Sequence, residues 1–146
     1  MIRLQAQAFD PGALLSEFCK GRARTGAVVS FTGIARADHG KDTTLELEAY
    51  PGFTEAEIGK IAAVAVGRFS LQDHLILHRT GRIAPGEAIV FVAAAAVHRR
   101  EAFEAADFLM DYLKSRAPFW KKESGPDGER WIEPHARDLS DVARWE

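Results

Sequence analysis

This sequence has little cysteine, a net charge near zero and no long apolar run. Cys19 is the only cysteine among 146 residues, so an internal disulfide framework and a multi-cysteine metal site are excluded. Nineteen Lys and Arg balance 21 Asp and Glu at a net charge of −2, which argues against a general nucleic-acid coat. The longest strongly apolar run, residues 88–97, is too short to cross a bilayer. We therefore expect a cytoplasmic protein that binds neither nucleic acid nor membrane.

The composition that remains is that of a single globular domain. Hydrophobic residues make up 47% and charged residues 27%, so the chain has material for both a core and a solvated surface. Strand and helix patterns are mixed without strict alternation, which favours an α+β fold over a doubly wound parallel sheet. We expect one domain over residues 1–133, followed by a loosely held tail of mixed charge over residues 134–146.

Hydrophobic periodicity and turn signals predict the individual elements. Thr54 with Glu57 forms the pattern of a capping box, which predicts that a helix begins there. Pro118 ends the longest helix, since proline lacks the N–H that a helix interior needs. The predicted strands cover residues 2–8, 26–33, 44–49, 75–80 and 88–97, the predicted helices 11–21, 54–68 and 99–116, the predicted hairpin 119–133 and the predicted loop 34–43.

The segment KSRAPFWKK, residues 114–122, carries four cations and no acid inside a slightly acidic chain. In a strand, neighbouring side chains point to opposite faces, so only one of Lys121 and Lys122 can share a site with Lys114. The pattern has two interpretations: a basic site, or a solvated face on which Asp111 and Lys114 form an i,i+3 pair. Spacing alone favours the solvated face, because most surface charge runs have no special role.

A second basic cluster, His98-Arg99-Arg100, lies where an apolar strand is followed by the longest helix. The free backbone N–H groups at a helix start can form an anion pocket together with such side chains. Basic residues there are unfavourable for the helix dipole, which hints at a function. In the alternative interpretation Glu101 and Glu104 satisfy the dipole and the basic side chains are merely solvated; the sequence supports the two equally.

Other candidates carry weaker signals. His74 and His78 are four residues apart and can share a strand face as a metal pair, but a structural role is favoured because no third ligand is in view. Cys19 lies in a predicted helix without a paired histidine, so a buried structural thiol is favoured over a nucleophile. The residues alone thus support a basic pocket for a phosphorylated or carboxylated small molecule, with one reactive lysine.

Five stretches, in order along the chain, carry a family resemblance. They are GAVVSFTGIAR at 26–36, LELEAYPGFTE at 45–55, HRTGRIAPGE at 78–87, VHRREAFEAADFLMDYLKSRAPFWKKE at 97–123 and DGERWIE at 127–133. Together they resemble the molybdopterin synthase catalytic (large) subunit family. The block that ends in K-x-R-A-P-F-W-K is specific, and it favours a catalytic interpretation of the lysines over a solvated one.

The resemblance implies a sulfurtransferase of molybdenum cofactor biosynthesis. Such an enzyme converts cyclic pyranopterin monophosphate to molybdopterin, with two sulfur atoms from the C-terminal thiocarboxylate of a small ubiquitin-like subunit. It also implies a homodimer of the large subunit within a heterotetramer, and an α/β-hammerhead-like domain with an added α+β subdomain. No metal or other cofactor of the enzyme's own is implied. The alternative is a non-catalytic module that binds an anionic phospholigand in the same basic pocket.

Carried over by position, the resemblance also implies roles for individual residues. Lys121 and Lys114 match the family lysines associated with catalysis. The expected substrate-binding residues are Arg36, His98, Arg99 and the supporting cation Arg116, and the residues expected along the tunnel for the partner's tail are Phe119 and Trp120. The sequence departs from the family pattern in the loop ADHGKD at 37–42, and at His135, where relatives can carry arginine.

Overall fold

Two four-stranded sheets and four helices make up the part of the protein that a computed structural model describes, residues 1–36 and 43–146. In chain order they are β1 Ile2–Gln5, α1 Pro11–Cys19, β2 Ala27–Ile34, β3 Thr44–Ala49, α2 Phe53–Phe69, β4 Asp73–Arg79, β5 Gly81–Ile83, β6 Ala88–Ala96, α3 Arg99–Ser115, β7 Phe119–Gly125, β8 Gly128–Ile132 and α4 Ala136–Ala143. The strand order is β1-β4-β6-β2 in the first sheet and β5-β3-β7-β8 in the second. This mixture of elements confirms the predicted α+β fold.

β6 is an inner strand of the first sheet and is buried along almost its whole length. It runs antiparallel to β2 on one side and to β4 on the other, while β1 pairs parallel with β4. One face of the sheet packs against α1, where Phe18 joins Leu77 and Phe91. The other face packs against α2 and α3, with Phe108 and Leu109 in the larger core. A strand covered on both faces needs apolar residues at every position, which explains the continuous apolar run of β6.

β7 is an inner strand of the second sheet, between β3 and β8, so neighbours on both sides fix its side chains. Lys121 lies opposite Leu47 of β3 and Ile132 of β8. Leu47 is fully buried on the inner face, in a small core with Ala35 and Ile83 that joins the two sheets. Residues that share a face with Leu47 therefore point towards the first sheet, and those between them point outwards.

α3 is amphipathic, as its three- and four-residue spacing predicts, and it leads directly to β7. Its buried face consists of Ala102, Ala105, Ala106, Phe108, Leu109, Met110 and Leu113. The helix ends at Ser115, before Pro118, and β7 begins at Phe119. This short connection brings Lys114, in the last turn of the helix, close to the first residues of β7.

The predicted capping box at Thr54 is wrong. α2 begins at Phe53 after Gly52, and no side chain caps it. Thr54 is instead fully buried, and its hydroxyl accepts from the N–H of Tyr50 (2.8 Å) and donates to the carbonyl oxygen of Pro118 (2.9 Å). The hydroxyl thus ties the start of α2 to the connection between α3 and β7.

The expectation of a loosely held tail over residues 134–146 is corrected by the packing of its last residues. The ring of Trp145 lies 5.8 Å from that of Phe69 and 5.5 Å from that of Phe108. Its indole N–H donates to the carboxylate of Asp111 at 2.7 Å. The ring of Trp145 contributes apolar contact area that the charged residues of the tail cannot provide, and its N–H has a hydrogen-bond partner. The tail is therefore docked on α3.

The loop predicted over residues 34–43 falls mainly on residues 37–42, which lie outside the described residues. β2 ends at Ile34 and β3 begins at Thr44, which agrees with the predicted ends of the loop. None of the helices in the described ranges is long and apolar enough to cross a membrane.

Replacing Trp145 by alanine should destabilise the fold, because its ring packs against both Phe69 and Phe108. We expect the free energy of unfolding to fall by about 2–4 kcal/mol, less than for a fully buried aromatic residue. Urea denaturation followed by circular dichroism measures it. Trp131→Ala is the matched control, since Trp131 is 61% exposed on β8 and should lose less than about 1 kcal/mol. Equal losses in the two variants would contradict a docked tail.

Candidate active site

A cavity opens at the junction of the two sheets, between the end of α3 and the inner face of β7. Its volume is about 480 Å³ up to its open mouth. His78, Lys114, Ser115 and Lys121 form its polar lining, and Phe119 is one of its apolar walls. Lys114 and Lys121 thus meet in one cavity, although one lies on a helix and the other on a strand.

A second cavity, of about 700 Å³ up to its mouth, adjoins the first, and both are lined by Lys114 and Lys121. Arg36, which follows β2, lines the second cavity together with Glu123 and His135. We name the two joined cavities the lysine cleft. Three of the cations expected from the sequence therefore lie around one cleft.

Lys121 lies on the inner face of β7, and its side chain is half-buried in the cleft. Burial first, and then the nearby charge of Lys114, lower the pKa of the Lys121 amine from 10.5 to about 8, against an opposing effect of Asp138. An amine with this pKa is partly neutral near physiological pH. It can therefore act as a base or as a nucleophile, which an ordinary surface lysine does poorly.

Lys122 points to the opposite face of β7, as alternation along a strand predicts. Its amine lies 3.7 Å from the carboxylate of Glu46, 3.3 Å from that of Glu129 and above the ring of Trp131. Lys122 is therefore a paired cation of the outer face. This confirms that only one of the two neighbouring lysines shares a site with Lys114.

The ion pair expected between Asp111 and Lys114 is not formed. Asp111 accepts hydrogen bonds from Arg144 and from the indole N–H of Trp145, so the docked tail occupies this carboxylate. Lys114 has no carboxylate ion-pair partner among residues 1–36 and 43–146. It lines the cleft instead, where its charge acts on Lys121.

The basic cluster at residues 98–100 lies at the far end of α3 from the cleft. Its side chains are exposed. Roughly 24 Å of helix separate His98 from Lys114, at about 1.5 Å per residue. His98 and Arg99 therefore do not reach the lysine cleft of their own chain.

Two further residues expected at the site lie outside it. Arg116 is exposed and forms an ion pair with Glu146 at 2.9 Å. Trp120 is on the outer face of β7, where its ring lies 5.4 Å from that of Trp131. Because neighbours in a strand point to opposite faces, only Phe119 of the two expected aromatic residues lines the cleft.

His78 is a wall of the cleft that sequence spacing does not predict. Burial chiefly, and the charges of Lys121 and Lys114, lower the pKa of its imidazole to about 4, against a hydrogen bond to the Arg79 backbone. The ring is therefore neutral at physiological pH. Its place beside the lysines results from contacts between β4, α3 and β7, which leave no periodic signal in the sequence.

The remaining sequence candidates lie away from the cleft. His74 is at the other end of β4, where its carbonyl accepts from the amino group of Met1 at 2.9 Å. Neither His74 nor His78 belongs to a group of three or more metal-binding side chains within the described part of the chain. Cys19, expected to be buried, is exposed at the end of α1, because that helix turns Phe18 towards the sheet.

The geometry describes a site for an anionic small molecule. Arg36, Lys114 and Lys121 surround the cleft, so a carboxylate or phosphate bound there is held by their charges. The partly neutral Lys121 adds a group that can exchange a proton or attack an acyl carbon. A reactive amine within an anion-binding cleft is typical of an enzyme.

Comparison with known proteins identifies the family. The family described as MoaE protein matches residues 4–116, most of the chain. The chain belongs to this family. A protein of Caulobacter vibrioides named molybdopterin synthase catalytic subunit is 66% identical over 146 residues, which cover 100% of this chain and 97% of that protein.

Solved structures agree with this assignment. The molybdopterin biosynthesis MoaE protein from Burkholderia ambifaria has a TM-score of 0.85 and 44% identity, with 99% of this chain and 97% of that chain covered. The complex of subunits 1 and 2 of molybdopterin-converting factor from Helicobacter pylori, at 19% identity, shares the fold with a TM-score of 0.78 over 90% of each chain. The chain is thus an enzyme of molybdopterin synthesis, and the non-catalytic alternative finds no support.

Removing the charge of Lys114 should raise the pKa of the Lys121 amine above 8, because the two ammonium groups repel each other. Lys114→Met keeps the side chain's length, and burial, the larger cause, should hold the pKa below 10.5. Competitive trace acetylation across a pH series, quantified for each lysine by peptide mass spectrometry, measures the pH of half-titration. Arg116→Met is the matched control, a cation at the same helix end but outside the cleft. A Lys121 titration that does not move in Lys114→Met would contradict the shared site.

Proposed function

We propose that Lys121 is the residue at the sulfur-transfer centre of a molybdopterin synthase, of which this chain is the catalytic subunit. The reaction converts cyclic pyranopterin monophosphate to molybdopterin and takes two sulfur atoms from protein thiocarboxylates. The observation that carries the proposal is the partly neutral amine of Lys121 in a cleft that it shares with Lys114 and Arg36. Thiocarboxylate and cyclic phosphate are both anions, so cations are needed to hold them together.

The neutral amine of Lys121 supports two versions of the chemistry. As a base, it takes a proton from the water that cleaves the acyl–sulfur bond after the thiocarboxylate sulfur has added to the pterin, so the sulfur stays on the pterin and the acyl group leaves as a carboxylate. As a nucleophile, it attacks the acyl carbon of the thiocarboxylate, the sulfur leaves to the substrate, and water later releases the acyl group as a carboxylate. In both versions Lys114 orients the anionic substrate and assists proton transfer, and Arg36 binds its phosphate.

The sulfur donor that we propose is the C-terminal Gly-Gly tail of a small ubiquitin-like partner subunit. A tail without side chains is thin enough to enter the open cleft, where Phe119 forms an apolar wall beside Lys121. Trp120 lies on the outer face of β7, so we assign Phe119 alone to the path of the tail. The Helicobacter pylori relative, which has the same fold, is a complex of two subunits, and this supports a partner of that kind.

A second copy of this chain is the proposed source of His98 and Arg99 in the cleft. β2 is an edge strand of the first sheet, and Phe31 and Ile34 are exposed on it. An edge with exposed apolar side chains is suited to pairing with another strand. Closed homo-oligomers most often form around a two-fold axis, which would bring two such edges together.

The two ends of β2 explain how such a dimer completes the site. Its start abuts Val97, the residue before His98, so closely that a Cβ on Gly26 would lie 2.0 Å from the Val97 carbonyl oxygen. Its end leads to Arg36 in the cleft, roughly 24 Å away along the strand. Antiparallel pairing of two β2 edges sets the start of one strand beside the end of the other. The basic cluster of one protomer then meets the lysine cleft of its partner.

We further propose that the enzyme has no metal or other cofactor of its own and works in the cytoplasm. Acid, base and anion-binding groups suffice for the reaction, and the side chains around the cleft provide them. A protein thiocarboxylate, like the exposed thiol of Cys19, persists best in a reducing compartment. Molybdopterin is here the product of the reaction and not a bound cofactor.

Lys121→Ala should reduce molybdopterin formation by at least about a thousandfold, because the site loses its reactive amine. The assay combines the protein, cyclic pyranopterin monophosphate and a thiocarboxylated small subunit, and product should require all three. Lys122→Ala is the matched control, since the neighbouring lysine lies on the outer face and should leave the rate nearly unchanged. Full activity of Lys121→Ala would refute its role, whereas tight binding of the pterin phosphate without any product would favour a non-catalytic module.

Mixing two inactive variants tests whether the site is shared between copies. In a dimer of one Lys121→Ala chain and one Arg99→Ala chain, a shared arrangement leaves one site with both residues intact and the other with neither. Random assembly on co-expression then returns about a quarter of wild-type activity. Each variant expressed alone is the control. If Arg99 acts within its own chain, every site in the mixture carries one defect and no activity returns.

A further inference from the structure

His78 is a buried imidazole at the cleft end of β4, and its side chain is 6% exposed. It lies in register between Leu4 of β1 and Val90 of β6. Ile76, two residues earlier on the same face, packs into the core beneath α2 and α3. On this face of β4 the buried Ile76 is therefore followed by a polar ring beside the two lysines. A buried polar side chain needs a hydrogen-bonding or functional reason.

Two contacts fix the orientation of the ring. Nδ1 lies 2.8 Å from the carbonyl oxygen of Arg79, which can only accept, so Nδ1 carries the hydrogen and Nε2 the lone pair of the neutral ring. One face stacks on Phe119, with 4.2 Å between the ring centroids and 26° between the planes. Phe119 is two residues before Lys121 on the same face of β7. The imidazole thus packs directly against the strand that carries the reactive amine.

Charged and titratable groups from several elements lie around the cleft that holds the Lys121 amine, and two of them, Lys114 and Asp138, shift its pKa. These groups are Lys114 of α3, His78 of β4, Arg36 after β2, Glu123 of β7, and His135 and Asp138 at the start of α4. Within this group of described residues, only His78 has a fully buried side chain. Burial keeps its ring neutral, because the pKa is lowered to about 4. A hydrated or charged group at position 78 would bring water or charge close to the Lys121 amine from the inner end of the cleft.

We propose that His78 is a positioning residue for Lys121: its neutral ring holds Phe119 and keeps water out of the inner end of the cleft, so that the Lys121 amine stays poorly hydrated. The inference rests on the proposed role of Lys121 in sulfur transfer, and it adds a residue that acts through Lys121 rather than on the substrate. An imidazole suits the position because its Nδ1–H bonds the Arg79 carbonyl, which an apolar side chain of similar size cannot do.

The pH of half-titration of the Lys121 amine tests the proposal, measured on the full chain by competitive trace acetylation and peptide mass spectrometry. His78→Ala removes the ring and admits water, and we expect the half-titration to rise by at least about one pH unit. His78→Gln keeps much of the volume and an N–H donor but lacks the ring that stacks on Phe119, so it should show about half of that rise. Lys122 is the internal reference, and His74→Ala, at the far end of β4, is the matched control.

Activity measurements separate this inference from the proposed function. If neutral Lys121 carries the chemistry, the rising limb of kcat against pH should move upwards in His78→Ala by the same amount as the Lys121 titration, with KM changed less than kcat. A shifted Lys121 titration with an unmoved pH profile would uphold the positioning by His78 and overturn the proposed role of Lys121.

An unmoved Lys121 titration in His78→Ala would overturn the inference even if activity were lost, since His78 would then act without Lys121. An equal rise in His74→Ala would also overturn it, because the effect would then be a general loosening of β4. Circular dichroism and urea denaturation establish that each variant is folded. Should His78→Ala fail to fold, His78→Gln replaces it, and the absence of a rise of roughly half a pH unit overturns the inference.

Discussion

The partial burial of the Lys121 amine is the constraint on which the arrangement of this molecule depends. Removing a lysine from water lowers stability, and the nearby charge of Lys114 adds repulsion. The fold tolerates this because β7 is bonded to a strand on each side, with Leu47 and Ile132 opposite Lys121. An edge strand could turn such a side chain to solvent with little loss of structure. An inner strand cannot do so without breaking two ladders of hydrogen bonds, so the reactive amine is held where it is unfavourable on its own.

The connection between α3 and β7 links the position of Lys121 to the packing of the rest of the core. The Thr54 hydroxyl donates to the carbonyl of Pro118, so α2 holds the connection from the side. The tail holds the outer side of α3 through the bond from Trp145 to Asp111. Because the tail occupies Asp111, Lys114 is left to the cleft and not to an ion pair on the helix surface. Contacts far from the chemistry therefore determine which charges the cleft contains.

Patterns with a fixed period predict most of the elements and the face of each lysine. Alternation along β7 separates Lys121 from Lys122, and helical spacing predicts the buried face of α3. The family resemblance adds Arg36, which the structure places at the cleft with Lys114 and Lys121, but also Arg116 and Trp120, which lie outside it. The contacts of Thr54, His78 and Trp145 join elements that are distant in sequence, and such contacts have no period. This is why a capping box and a loosely held tail are predicted where tertiary packing decides otherwise.

The separation of the cations between the two ends of α3 fits the same electrostatic constraint. One chain already has Arg36, Lys114 and Lys121 around its cleft. With His98 and Arg99 there as well, five basic groups would come together during folding, with only the carboxylates of Glu123 and Asp138 nearby to offset their repulsion. In the proposed dimer the last two are solvated in each free chain and approach the cleft only on assembly. The phosphate of the substrate then offsets the repulsion among these cations, so substrate binding and dimer formation stabilise each other. The repulsion therefore does not lower the stability of the single folded chain.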